Sequence, residues 1–145
     1  MINLPLVASD AYRAISGVKV YIQQCGLEPS LIELVKLPAS QINGCAFCID
    51  MHSKDARRKG ETEQRLYLLN AWREAPLCTE REPAALAWPE HLTLPVTDGA
   101  PQKTDDRLCT EPTQVEIANL TLLIGLINLW NRVGVCFRLA PAETV

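Results

Sequence analysis

The chain has 145 residues, with 14 Lys and Arg against 17 Asp and Glu, for a formal net charge of −3. Hydrophobic residues make up 48% and charged residues 21%, an ordinary globular balance that predicts one domain over 1–145 with a modest core. No run of Lys or Arg has the extent of a phosphate-binding footprint, so nucleic acid is excluded as an expected partner.

Ser9 or Asp10 is positioned to cap a first helix that runs to Gln24 and stops at Gly26. Ile15, Val18, Val20, Tyr21 and Ile22 predict a broad buried face for it. Pro29-Ser30 opens a second helix, Leu31 to Ile42, which Pro38 should kink or split. Asn43-Gly44 is a turn signal, and a third helix follows from Cys45 to Lys59, ending at Gly60. Its Arg57-Arg58-Lys59 cluster reads as a basic last turn. A fourth helix starts at Glu61 or Thr62, carries Leu66, Leu68, Leu69 and Trp72 as apolar residues, and ends at Pro76. A fifth spans Thr79 to Leu92 with Ala84, Ala85, Leu86 and Trp88 inward, interrupted at Pro89. Residues 94 to 113 read as a loop rich in Pro and polar residues, with one short turn near Asp105 to Cys109.

The longest helix is predicted from Glu111 to Arg138. One stripe contains Ile117, Leu120, Ile124 and Ile127, and another contains Leu122, Leu123, Leu126, Leu129 and Val133. A helix apolar nearly all round belongs at the centre of the domain or in a subunit contact. Asn128, Asn131 and Arg132 interrupt its apolar run, which falls short of the roughly 18 clean apolar residues of a membrane span. No segment alternates strictly, so no sheet is expected and the fold class is all-α.

The N-terminus lacks a basic segment followed by a long apolar one, so no secretory signal is expected. The six cysteines are Cys25, Cys45, Cys48, Cys78, Cys109 and Cys136. With no such signal and a real core, a cytoplasmic location with one special pair fits better than a disulfide framework. Cys25 and Cys136 lie in apolar helical runs and read as inert core residues.

The special pair lies in Cys45-Ala46-Phe47-Cys48-Ile49-Asp50-Met51-His52. At about 100° per residue, Cys48 falls about 60° and His52 about 20° from Cys45, so all three share one narrow arc. A thiol pair at this spacing can close a disulfide when one cysteine is at the first turn, where the Asn43-Gly44 turn puts Cys45. The helix start favours a thiolate, and a neighbouring His can take its proton. A second cysteine within reach can then attack a sulfenic acid or mixed disulfide. Glu33 sits in the apolar run Leu31-Ile32-Glu33-Leu34-Val35. A carboxylate there either points outward or is buried with a partner, for which His52 is a candidate.

Other readings of the residues stay open. The two thiols can be core residues, or zinc ligands with His52 and a fourth donor from His91 or Cys78. Haem attachment would require His immediately after Cys48, and Ile49 is there instead.

The chain resembles the AhpD-like alkylhydroperoxidases of the carboxymuconolactone decarboxylase superfamily. The resemblance rests on Glu33, twelve residues before Cys45, and on the run Cys45 to His52. Ala85-Leu86-Ala87-Trp88, Asn119 to Ile124, Ile127-Asn128 and Trp130-Asn131-Arg132 reinforce it. It implies an all-α fold of about six helices with the cysteine pair at a helix start, assembled as a homotrimer or homohexamer. It implies reduction of a hydroperoxide, with Cys48 the attacking thiol, Cys45 the resolving thiol, and His52 with Glu33 the proton relay. An external dithiol or reductant protein would restore the pair, with no metal or organic cofactor. Helix-dipole reasoning alone instead makes Cys45 the more acidic thiol; His52, four residues after Cys48, favours Cys48.

Two features depart from the family pattern. Some members have a second His between the cysteines, where this chain has Phe47, and Pro89 falls within the Ala-Leu-Ala-Trp helix. The decarboxylase branch generally lacks the pair, which argues against that chemistry here. Two other classes remain: acid–base catalysis by His52 and Glu33, and a non-catalytic oligomer with a redox- or zinc-binding pair.

Overall fold

The structure, a computed structural model, describes residues 2–75, 79, 82–94 and 113–142. Seven α-helices lie among them: α1 (Leu4–Val7), α2 (Ser9–Gln24), α3 (Pro29–Ile42), α4 (Ala46–Arg58), α5 (Glu63–Tyr67), α6 (Glu82–Thr93) and α7 (Gln114–Cys136). There is no strand among the described residues, and a 3₁₀ turn covers Leu69–Ala71. The expected short turn near Asp105 to Cys109, most of the 94–113 loop, Pro76 and Cys78 lie outside the described residues.

α3 is the central helix. It packs against α4, α6 and α7, and nine of its residues, Leu31 to Val35 and Leu37 to Ser40, are buried. Its two sides feed two clusters. Leu31, Ile32 and Val35 join Ile22, Ala85, Trp88, Leu120, Leu123 and Ile124. Leu34 and Leu37 join Ala56, Leu69, Trp72 and Leu86. Each such side chain removed from water stabilises by roughly 1.5–3 kcal/mol, which places most of the folding energy around α3. Within the single chain the C-terminal helix is buried over part of its surface. α7 buries Leu120, Leu123, Ile124, Leu126 and Ile127, but Val115, Leu122, Leu129 and Val135 remain exposed. No helix among the described residues is long and apolar enough to cross a membrane.

Other expectations also shift. α2 has the predicted ends, but its N-cap is Ala8 without a side-chain hydrogen bond, because α1 leads directly into it. Of its predicted buried face only Ile22 is buried, whereas Val18, Val20 and Tyr21 are exposed. α2 packs chiefly on α7 and α1, and among the described residues much of its surface stays exposed. Both internal prolines are accommodated, Pro38 in a continuous α3 and Pro89 in a continuous α6. Both are buried, so the surrounding packing offsets the lost backbone bond. The fourth helix breaks after Tyr67, and Leu69 and Trp72 turn onto Leu34 and Leu37. Cys25 is half-buried as expected of a packing residue, but Cys136, in the last turn of α7, is exposed. α7 begins with a capping box, Thr113 accepting from the Glu116 N–H while Glu116 accepts from the Thr113 N–H.

Candidate active site

The site starts from a turn. Gly44 has φ +66, a left-handed conformation that glycine adopts without a Cβ penalty, and it reverses the chain between α3 and α4. The Cys45 N–H donates to the Ser40 carbonyl at 3.0 Å. This leaves Cys45 as the N-cap of α4, its Sγ accepting from the Cys48 N–H at 3.3 Å. A sulfur in place of the usual Ser or Asp oxygen thus faces the positive end of the helix. Cys45 and Cys48 are disulfide-bonded, with Cα atoms 5.3 Å apart, and both are buried.

One turn further along α4, His52 is 6% exposed and Glu33 on α3 is 3% exposed. Glu33 Oε2 lies 2.8 Å from His52 Nδ1. Its other oxygen, Oε1, accepts from Lys59 Nζ at 2.7 Å and from Lys36 Nζ at 3.2 Å. Burial pushes the Glu33 carboxyl upward, but the His52 hydrogen bond, the Lys36 charge and the Lys59 hydrogen bond outweigh it and hold it at about 2. Burial also lowers Lys36, against the opposing pull of Glu33. Glu33 is thus a carboxylate at neutral pH and only accepts hydrogen bonds. The proton in the 2.8 Å contact therefore sits on His52 Nδ1, the tautomer whose Nε2 carries the lone pair that a base needs.

A cavity of about 1030 Å³ opens beside these groups. Glu33, Lys36, Cys48, His52 and Lys59 line it, together with Phe47, Met51, Trp130 and other apolar residues; Cys45 does not. The helices bring all four sequence-predicted residues together, with Cys48 on the cavity side of the disulfide. Asp55 also lies close, its carboxylate within 4.8 Å of donor atoms of Glu33 and His52. The Glu33 oxygens there already face His52, Lys36 and Lys59, and the two lysine charges oppose a further cation. His91, a candidate zinc ligand in the sequence, is exposed on α6.

The sequence reading missed the two lysines. Lys36 is three residues after Glu33 on one helix, a spacing that predicts contact. Lys59 is 26 residues away in sequence, and only the packing of α4 on α3 brings it there. It also missed a buried amide relay. Asn43 Nδ2 donates to Asn128 Oδ1 and to Asn131 Oδ1, both at 2.9 Å, and Asn131 Nδ2 donates to Ser40 Oγ at 3.0 Å. These bonds tie the turn before Cys45 to α7.

Comparison with known proteins gives consistent matches. The model of the carboxymuconolactone decarboxylase family matches residues 8–91, which include Glu33, Cys45, Cys48 and His52. The uncharacterized protein YdfG of Bacillus subtilis (strain 168) is 39% identical over 129 residues, 89% of this chain and 88% of that protein. The uncharacterized protein YnjA of Escherichia coli (strain K12) is 35% identical over 106 residues, 71% of this chain and 56% of that protein. A crystal structure from Agrobacterium tumefaciens, of a protein of unknown function described as a candidate AhpD antioxidant-defence protein, superimposes with a TM-score of 0.89. The identity is 41%, and the match covers 99% of this chain and 98% of that one.

Proposed function

This chain belongs to the carboxymuconolactone decarboxylase family and has its AhpD-like all-α fold, and from that premise we propose that it is a thiol peroxidase acting through Cys45 and Cys48. The observation that carries the reading is a bonded cysteine pair whose Cys48 lines the same cavity as a carboxylate-oriented His52.

The Cys48 thiolate attacks the terminal oxygen of a hydroperoxide. The O–O bond breaks, Cys48 becomes a sulfenic acid, and the alkoxide leaves as an alcohol after taking a proton. The Cys45 thiolate then attacks the Cys48 sulfur, closes the disulfide and releases hydroxide, which is protonated to water. The two thiols supply the two electrons that reduce the peroxide, and an external dithiol returns them through a mixed disulfide. His52 is the base that takes the thiol proton and returns it to the leaving oxygen, and Glu33 holds its tautomer. The Cys45 sulfur at the helix start is stabilised as a thiolate, which also makes it a good leaving group on reduction. This cycle needs neither metal nor organic cofactor, and its dependence on a dithiol suits the cytoplasm.

The reading is tested by titration. Reduced protein given limiting hydroperoxide should lose two thiols for each peroxide consumed, and excess dithiol should sustain turnover. Peroxide left unconsumed, or an unchanged thiol count, refutes it.

The same reading makes the protein a homotrimer or homohexamer. The exposed Val18, Val20 and Tyr21 of α2 and Leu122 and Leu129 of α7 supply apolar surface for subunit contacts. Light scattering should return three or six times the 16.1 kDa chain mass; a monomeric mass contradicts the assembly.

A further inference from the structure

The cysteine pair rests on the backbone of a third helix. Gly134 of α7 is buried, and a Cβ built on it would lie 2.7 Å from Cys45 Sγ and 3.4 Å from Cys48 Sγ. The first distance is roughly an ångström inside ordinary contact. The other helical glycines, Gly17 and Gly125, would meet nothing within 4 Å. Glycine weakens a helix relative to alanine, so position 134 gives up helix stability at the one helical glycine among the described residues where the sulfurs occupy the side-chain space. The approach is also fastened. Asn131, one turn earlier on α7 and fully buried, is bonded to Asn43 and Ser40, and Ser40 in turn accepts the Cys45 N–H through its carbonyl. The Cys45 backbone is held against α7, so a side chain at 134 must displace the sulfur itself.

We propose that Gly134 is a positioning residue of the thiol site: the space of its absent Cβ seats the Cys45 sulfur, and any side chain there opposes closure of the Cys45–Cys48 bond. The placement of this effect in the resolving step rests on the peroxidase reading. In that step the Cys45 thiolate attacks the Cys48 sulfenic sulfur, the S–S bond forms as the S–O bond breaks, and the hydroxide leaves with a proton as water. The peroxide-cleaving step at Cys48 precedes it and makes no bond to Cys45.

The test compares wild type with Gly134→Ala in two arms. In the first, reduced protein meets one equivalent of hydroperoxide in the presence of dimedone. The variant should close its disulfide about ten- to a hundredfold more slowly, the usual cost of about an ångström of misplacement, with Cys48 trapped as the sulfenic adduct. Closure at the wild-type rate overturns the proposal. The second arm uses no peroxide: both proteins are equilibrated in glutathione redox buffers. The variant should hold less disulfide at every ratio, and an unshifted equilibrium overturns the proposal. Failure of wild type to consume peroxide would defeat the peroxidase reading, while the glutathione arm would still decide the role of Gly134. Folding is controlled by a second pair of variants. Gly134→Ala should lower the melting temperature of the oxidised protein but not that of Cys45→Ala, which lacks the sulfur it meets. An equal loss in both backgrounds overturns the proposal.

Discussion

Cys48→Ser is expected to lower hydroperoxide turnover by at least about three orders of magnitude, whereas Cys45→Ser should keep the first turnover and lose the later ones. Serine has nearly the shape of cysteine, so the buried pocket beside Gly134 stays filled in either variant. Its hydroxyl does not ionise near neutral pH and cannot break the O–O bond. Cys48 lines the cavity with His52, while Cys45 lies behind it as the N-cap of α4. Peroxide arriving through the cavity therefore meets Cys48 first. In Cys45→Ser one equivalent of peroxide should be consumed and the sulfenic acid should persist, with nothing to resolve it. Mass spectrometry after dimedone treatment, beside single-turnover kinetics, reads both outcomes. The opposite pattern, with Cys45→Ser inactive and Cys48→Ser consuming one equivalent, would assign the attack to the thiol nearer the helix start. Catalysis surviving the double serine variant would favour acid–base chemistry at His52 and Glu33.

Glu33→Ala is expected to destabilise the protein by about 1–3 kcal/mol, because it takes a buried carboxylate away from the buried His52, the half-buried Lys36 and the more exposed Lys59 that hydrogen-bond it. Lys36 and Lys59 both bond the same oxygen of Glu33, and His52 bonds the other. Glu33→Gln keeps the shape and isolates the charge. The folded carboxyl is held at about 2 against an ordinary 4.5, which corresponds to roughly 3 kcal/mol at about 1.4 kcal/mol per pH unit, an order-of-magnitude figure. Folding favours the ionised form, so this contribution is fully present above about pH 5. It is lost progressively as the pH falls toward 2. Urea unfolding of wild type from pH 7 to pH 3 should show that loss, and Glu33→Gln should show a flatter profile over the same range. Parallel profiles would remove Glu33 from the acid response. Peroxidase activity of Glu33→Gln should fall about a hundredfold, because the amide no longer fixes the proton on Nδ1 of His52.

Much of this protein is determined locally and is legible in the sequence. The helices α2, α3 and α4 have ends set by Gly26, Pro29, Gly44 and Gly60, each a residue whose backbone conformation permits little else there. The spacing of Cys45, Cys48 and His52 is a property of one helix, so their shared face followed from residue numbers alone. Glu33 stood out because a carboxylate in an apolar run needs a partner.

Tertiary packing decided the rest. Neither proline stopped its helix, because burial on several sides outweighs one missing backbone bond. The apolar residues of α2 looked inward by pattern, yet among the described residues Val18, Val20 and Tyr21 stay exposed. Lys59 reads in sequence as the end of a basic turn, and only the packing of α4 on α3 carries its charge to Glu33. Gly134 has no signal in the sequence at all: a glycine near the end of a helix is common, and its meaning lies in the 2.7 Å that would separate an added Cβ from a sulfur 89 residues earlier in the chain. Local chemistry determines which groups can react; contacts between distant segments determine how their charges, tautomer and room to move are set.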